Sequence, residues 1–151
     1  MRLAETIVAT LNFIQDPETP ELWTAANVEA GPGRPPIHVM VQTDGDEPGP
    51  DASRAVRGLL ASLDEQVLAA ADFLLDHYQP EAWLKRGIDP SRWLRAEDAE
   101  AMAGCATLRA IWLFDESAED YELWFTVPWD DRHTYDVEFD SGQPVGCSVS
   151  D

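Results

Sequence analysis

Ring-bearing or aliphatic residues alternate strictly with polar ones in His133-Thr134-Tyr135-Asp136-Val137-Glu138-Phe139-Asp140. Successive side chains of a β-strand point to opposite faces, so this period of two predicts a strand with one buried and one solvated face. It is the most regular pattern in the chain, and the segments on either side of it in the sequence continue the same strand-like alternation.

The segments around this strand predict a C-terminal meander of four strands. Residues 105–114 are mostly apolar, as expected for a central strand buried on both faces. Residues 121–127 alternate again, and residues 145–149 supply a last strand after the tight-turn signal Ser141-Gly142. Short turns between these segments favour antiparallel pairing of neighbours.

Residues before 105 add further strands and short helices. Their patterns predict strands over residues 3–13, 21–30 and 37–43, and short helical segments over residues 81–86, 90–94 and 95–103. Whether the N-terminal strands join the C-terminal sheet is left open by the sequence.

One long amphipathic helix is the clearest helical element. Apolar residues recur every three or four positions from about Ser53 to about His77, with Asp51 or Ser53 as the expected N-cap. The predicted fold class is therefore α+β. A single domain over residues 1–151 would carry this helix and the short helices on one face of an antiparallel sheet.

Charge is the strongest functional signal in the sequence. The 151 residues include 29 Asp and Glu against 10 Lys and Arg, which gives a net charge of -19 at pH 7. A field this negative repels nucleic acid and anionic membranes and attracts basic protein surfaces. We therefore expect a basic protein partner, and neither nucleic acid nor membrane.

Length and composition favour an ordinary folded domain. Hydrophobic residues make up 44% of the chain, which is enough for one core without metal or disulfide staples. No apolar run approaches the ~20 residues of a membrane span, and Glu5 interrupts any secretory leader, so a cytoplasmic location is expected. Cys105 and Cys147 are too few for a zinc framework and are expected to be reduced and on strands. No cofactor is expected.

Candidate catalytic and metal-binding residues are sparse. His38, His77 and His133 lie on three separate predicted elements, so no local pattern supports a catalytic triad. The acidic turn at residues 44–51 has alternating carboxylates, but Pro48 stands where a calcium loop needs a ligand. We therefore assign no catalytic or metal-binding residue.

Acidic residues concentrate near the C-terminus together with two tryptophans. Residues 106–151 contain eleven Asp or Glu against Arg109 and Arg132. Aromatic anchors inside a charged surround are typical of protein-binding hot spots. The alternative is a solvated acidic face with the tryptophans packed in the core. The predicted binding residues are Asp115, Glu116, Glu119, Asp120, Trp124, Trp129, Asp130 and Asp131.

The order of these features from about Val39 to Val149 resembles a family of uncharacterised bacterial domains of unknown function. The residues that carry the resemblance are Asp44-Gly45-Asp46-Glu47-Pro48, Trp83-Leu84, Tyr121-Glu122-Leu123-Trp124-Phe125 and the stretch from His133 to Gly142. Domains of this kind are similar to small acidic proteins found beside bacterial toxin genes. The resemblance implies an immunity factor that plugs a toxin.

Three functional hypotheses are consistent with the sequence. The first is a non-enzymatic binding protein, most plausibly a bacterial immunity or inhibitor protein that neutralises a basic toxin or nuclease. The second is a hydrolase whose carboxylates and His133 meet in a pocket assembled only by the fold. The third is a scaffold domain whose acidity confers solubility, for example at high salt. An acidic patch focused on one surface would favour the first, and evenly spread charge the third.

Overall fold

A seven-stranded sheet and three helices make up the described chain, an α+β fold as predicted. The computed structural model describes residues 11–77, 99–128 and 130–150. The strands are β1 (Ile14–Gln15), β2 (Leu22–Val28), β3 (Ile37–Gln42), β4 (Thr107–Leu113), β5 (Asp120–Val127), β6 (Asp130–Asp140) and β7 (Gln143–Ser150). The helices, all between β3 and β4, are α1 (Pro50–Ala61), α2 (Leu63–His77) and α3 (Ala99–Cys105).

The strands lie in the sheet in chain order, from β1 at one edge to β7 at the other. Every neighbouring pair is antiparallel except β3 and β4, which are parallel. A parallel pair needs a crossover connection, and the helical segment between β3 and β4 provides it. The N-terminal strands therefore join the same sheet, and the predicted C-terminal meander forms only one part of that larger sheet.

The predicted N-terminal strand and short helices are only partly covered by the described residues. Residues 3–10, 81–86 and 90–94 lie outside them, and the strand expected up to Phe13 is instead β1, which begins at Ile14. The helix predicted over residues 95–103 corresponds to α3, which continues through Gly104 to Cys105. Cys105 therefore ends a helix instead of lying on a strand, and it is a free thiol, as is Cys147.

The prediction of one long helix over residues 53–77 is confirmed only in part, because the chain leaves helical geometry at Ser62 and forms two helices, α1 and α2. The backbone of Ser62 has φ -112° and ψ 21°, and its hydroxyl donates to the carbonyl of Gly58 at 3.3 Å. A serine hydroxyl that bonds to the preceding turn competes with the helical backbone pattern. The predicted caps are wrong, since Gly49 is the N-cap and Pro50 the first helical residue.

One face of the sheet, the inner face, packs against α1 and α2. Buried residues in register on five adjacent strands line it: Ala25, Val39, Ile111, Leu123 and Val137. They share one hydrophobic core with Val56 and Leu59 of α1 and with Val67 and Leu74 of α2. The alternation predicted for β5 and β6 is confirmed on this face. No helix in the described ranges is long and apolar enough to cross a membrane.

Candidate functional site

The opposite face of the sheet, the open face, carries the even-numbered residues of β5 from 120 to 124 and of β6 from 136 to 140. Two rows of residues cross it in register from β3 to β6: Met40, Trp112, Glu122 and Glu138 in one, and His38, Ala110, Trp124 and Asp136 in the other. None of these side chains belongs to the core cluster beneath the helices. The open face is therefore separate from that core, and it carries aromatic and acidic groups together, with Ala110 and Asp136 buried on it.

Strands β5 and β6 bring five carboxylates and one indole into three consecutive cross-strand pairs. Asp120 opposes Asp140, Glu122 opposes Glu138, and Trp124 opposes Asp136. We call these six residues the acidic ladder. Side chains directly opposite in an antiparallel pair have Cβ atoms about 4.5–5.5 Å apart, and like charges there destabilise the sheet. Two of the three pairs therefore repel in the folded protein.

The surroundings of the acidic ladder raise carboxyl pKa values. Loss of hydration and the charge of Asp140 raise the pKa of Asp120. Burial raises the pKa of Glu122, although the indole of Trp124 donates to its Oε1 at 2.8 Å and lowers that pKa in part. Burial also raises the pKa of Asp136. Each shift disfavours the ionised form, and a cation brought to this face would reverse it.

Asp136 contradicts the expectation that the polar side of β6 is solvated throughout. The residue is only 3% exposed, although it belongs to the polar set of the alternation. The hydroxyl of Ser150 donates to Oδ2, and hydrogen bonding with the Thr134 side chain also lowers the pKa of this carboxyl in part. Oδ1 itself has no hydrogen-bond partner among the described residues. A buried carboxylate oxygen without a donor costs free energy, so Asp136 offers an acceptor to a group from outside the described chain.

Two tryptophans stand beside the carboxylates. The ring centroids of Trp112 and Trp124 are 5.4 Å apart, with the ring planes tilted by 40°. Both residues are half-buried, and Trp124 lies outside the core in which the alternative interpretation placed it. Indole faces attract ammonium and guanidinium groups, so these rings and the adjacent carboxylates favour the same class of ligand.

The turn between β4 and β5 holds three of the predicted binding residues at one end of the acidic ladder. Oδ1 of Asp115 accepts from the amide and hydroxyl of Ser117 at 2.7 and 2.6 Å. Oε1 of Glu116 accepts from the amide of Gly49 at 2.6 Å and so tethers the start of α1. Asp115 and Glu119 are exposed and extend the acidic surface, whereas Glu116 has a structural contact.

Asp130, another predicted binding residue, is buried at the far end of β5 from that turn. Its side chain is 4% exposed. His133 Nδ1 lies 2.9 Å from both carboxylate oxygens, and Tyr135 donates its hydroxyl to Oδ2 at 2.9 Å. Burial raises the pKa of Asp130, but hydrogen bonds from His133, Tyr135 and the Arg132 amide outweigh it and leave the pKa below its usual value. This carboxylate therefore anchors the start of β6.

The structure thus divides the eight predicted binding residues. Asp120 and Trp124 belong to the acidic ladder, the turn residues adjoin it, and Asp130 does not reach it. Trp129 and the side chain of Asp131 lie outside what the structure describes. Sequence reasoning missed four carboxylates and one indole of the open face, namely Glu122, Asp136, Glu138, Asp140 and Trp112. Their even spacing indicates a shared face on each strand, but only the register shows which of them meet.

Replacing Glu122 by Gln is expected to stabilise the fold. The amide keeps an acceptor for the Trp124 indole and removes the charge that faces Glu138. We expect the free energy of unfolding at pH 7 to rise by about 0.2–1 kcal/mol in urea denaturation. Because folding raises the pKa of Glu122, the wild-type penalty disappears as the pH falls toward the ordinary value of 4.5, and the gain should shrink with it. The exposed Glu29→Gln is the control, and an equal gain there would contradict the argument from repulsion.

Neither a search for metal ligands nor comparison with known proteins assigns a further functional residue. Within the described residues, no group of three or more His, Cys, Asp or Glu is placed to hold a metal ion. The predicted membership of a family of uncharacterised bacterial domains stays a prediction. The chain matches no protein-family model, no curated protein and no solved structure.

Proposed function

We propose that the protein is a non-enzymatic binding domain that engages a basic protein through the acidic ladder. The observation that most supports this is the succession of pairs in which one carboxylate faces another. Described ion pairs of Lys or Arg join Arg34 to Asp64 and Arg54 to Asp51, so within the described chain they do not neutralise the ladder. A cationic partner would relieve the repulsion between the carboxylates that face each other on β5 and β6.

The distribution of charge and aromatic surface favours binding over solubility alone. Five carboxylates are focused on two strands of one face, next to Trp112 and Trp124. Complementary charge accelerates encounter between proteins, and partly buried aromatic rings supply the area that retains the complex. A face of this composition therefore supports recognition of a basic surface more than general hydration.

We also propose that the partner is a toxin or nuclease and that the protein acts as a bacterial immunity or inhibitor protein. An enzyme that acts on a phosphate backbone presents a cationic site to its substrate. A compact domain with a net charge of -19 and a focused acidic face is suited to cover such a site. The family resemblance drawn from the sequence implies the same role.

Affinity capture from the lysate of the cells that make the protein tests this proposal. The bait is wild type or a ladder variant with Asp120→Asn, Glu122→Gln and Glu138→Gln. We expect wild type to retain a basic protein at low salt and release it at high salt, and the ladder variant to retain much less. The matched control carries Glu18→Gln, Glu29→Gln and Asp72→Asn, which remove the same charges from exposed positions elsewhere.

Three results of this capture would contradict the proposal. One is equal retention of the partner by the ladder variant and wild type, because the contact would then lie elsewhere. Another is an empty capture by wild type at both salt concentrations. Equal losses by the ladder variant and the control would show that net charge matters and the open face does not.

A hydrolase is the second candidate, and one contact favours it. His133 Nδ1 lies 2.9 Å from each carboxylate oxygen of Asp130. A carboxylate in this position orients an imidazole as a general base in many hydrolases. The side chain of His133 is 27% exposed, so solvent reaches it. Hydrolysis of ester or phosphodiester substrates by wild type and not by His133→Gln would replace the binding proposal with this one.

A further inference from the structure

We infer that the basic partner adds an extended strand to the outer edge of β7, the last strand of the described sheet, with Lys or Arg at every second residue. This inference rests on the proposed function, since it states how a partner reaches the acidic ladder. It commits to one class of occupant, a segment of another protein whose basic side chains alternate with apolar ones.

The two edges of the sheet differ in length and protection. Strand β1 has two residues, whereas β7 has eight and pairs only with β6 among the described strands. An edge strand carries backbone N–H and C=O groups that point away from its one neighbour, and proteins usually protect such edges with charges. No residue of β7 is charged in a chain of net charge -19. Pro144 and a β-bulge between Pro144 and Gly146 interrupt the first half of β7. No described strand pairs with the outer side of its second half, residues 146–150, which is therefore the part suited to strand addition.

Small residues of β7 leave a path from this edge to the acidic ladder. Gly146 opposes Glu138, and Ser148 opposes Asp136. Oε2 of Glu138 would lie 3.6 Å from a Cβ atom at position 146, so this carboxylate extends over the glycine toward the outer edge. An added strand would lie about 4.8 Å beyond β7. Its Lys or Arg side chains would cross Gly146 to meet Glu138.

The second row of the ladder offers an acceptor to the same strand. Asp136 is 3% exposed, and its Oδ1 has no hydrogen-bond partner among the described residues. An unpaired acceptor beneath an acidic surface favours a donor that is also cationic. Glu138 and Asp136 are two residues apart on β6, which is the repeat of side chains on one face of an extended partner.

The inner side of β7 defines the other half of the partner's pattern. Cys147 and Val149 pack against the core and are only partly buried, and Val145 on the same strand is 54% exposed. Apolar residues of an added strand would cover this surface and extend the core past the present edge. Alternating basic and apolar residues therefore fit both faces of the sheet at once.

A second copy of this chain is a poor occupant of the edge. Pairing of two β7 strands would bring together two chains that each carry a net charge of -19. It would also place two acidic ladders in one continuous sheet, where like charges repel. Charge complementarity therefore selects a basic segment of a different protein.

A synthetic peptide tests this inference directly. The probe is an acetylated and amidated octapeptide, Lys-Val-Arg-Val-Lys-Val-Arg-Val, titrated into the full chain at low salt by calorimetry. We expect binding together with slower hydrogen exchange at the amides of residues 145–150. Two further peptides carry N-methyl groups on alternate backbone nitrogens, one at the odd-numbered and one at the even-numbered residues. Each therefore loses the N–H donors along one of its two edges. At least one of these two peptides should bind at least tenfold more weakly than the parent peptide.

A variant of β7 provides the complementary measurement. Gly146→Lys places an internal cation beneath Glu138 and should weaken peptide binding at least tenfold. Ala61→Lys makes the same change of charge at an exposed position of α1 and is the control. In the absence of peptide, the amide hydrogens of residues 145–150 should exchange as slowly in both variants as in wild type, which checks that the sheet is intact.

The possible negative results distinguish a failure of strand addition from a failure of the proposed function. If both N-methylated peptides bind like the parent while the ladder variant does not, strand addition is wrong and the acidic ladder still binds basic segments. If the parent peptide binds the ladder variant as tightly as wild type, the inference and the proposed function both fail. Absence of peptide binding, or protection of residues 145–150 that depends on protein concentration without peptide, overturns the inference alone.

Discussion

Replacing Asp130 by Ala is expected to lower the free energy of unfolding by about 3 kcal/mol at pH 7. The substitution removes the carboxylate that accepts from the buried Tyr135 hydroxyl and that holds His133 and the amide of Arg132. Urea denaturation followed by tryptophan fluorescence measures the change. The position was predicted to bind a partner, so this result would establish that its role is structural.

Acid titration and two further variants refine this prediction. The pKa of Asp130 in the folded protein lies below the ordinary 3.8, so its contribution is complete above that value and is lost as the pH falls below it. The difference between wild type and Asp130→Ala should therefore narrow below pH 3.8. Tyr135→Phe removes the hydrogen bond to Asp130, a loss expected to cost about 1 kcal/mol. Exposed Asp72→Ala is the control, and a loss at Asp130 no larger than its effect would refute the anchoring role.

Neutralising the acidic ladder is expected to slow association with the captured basic partner by about tenfold to a hundredfold at low salt. The ladder variant with Asp120→Asn, Glu122→Gln and Glu138→Gln removes three charges from one face, so the attractive field there falls most strongly. Stopped-flow fluorescence measures the rate constant. High salt should bring wild type and variant close together, because screening removes the field from both.

The matched control separates a local field from net charge. The variant with Glu18→Gln, Glu29→Gln and Asp72→Asn has the same net charge as the ladder variant, and its association should stay within about threefold of wild type at low salt. Equal slowing of the two variants would show that total charge alone drives encounter. If the ladder variant still associates more slowly than wild type at high salt, the loss is due to direct contacts and not to long-range electrostatic attraction.

Local patterns predicted most strands well, and their failures have local causes. The alternation at residues 121–127 and 133–140 became β5 and β6, because a period of two depends only on neighbouring residues. The apolar repeat of the predicted helix continues across Ser62, yet the hydroxyl of that residue bonds to Gly58 and ends α1. The apolar repeat indicates which side chains face the core. It cannot reveal a break between two helices when both keep their apolar residues on the same side.

The candidate site required information of longer range. Composition identified an acidic protein and the C-terminal concentration of its acids. Of the predicted binding residues, the structure places Asp120 and Trp124 on the same face of β5. Asp130 and Asp131 are adjacent acids with nothing in the sequence to separate them. The fold buries Asp130 because Tyr135, five residues later, brings its hydroxyl back to that carboxylate.

The sequence by itself determined the net charge, the α+β class and the alternation that gives β5 and β6 one apolar and one polar face. Only the tertiary structure decided that Asp120 meets Asp140, that Glu122 meets Glu138, and that β7 is an edge strand of the described sheet. The physical reason is that charge and periodicity are properties of neighbouring residues, whereas register and strand order depend on how distant segments pair. A shift of one residue in that pairing would have turned the acidic ladder toward the core.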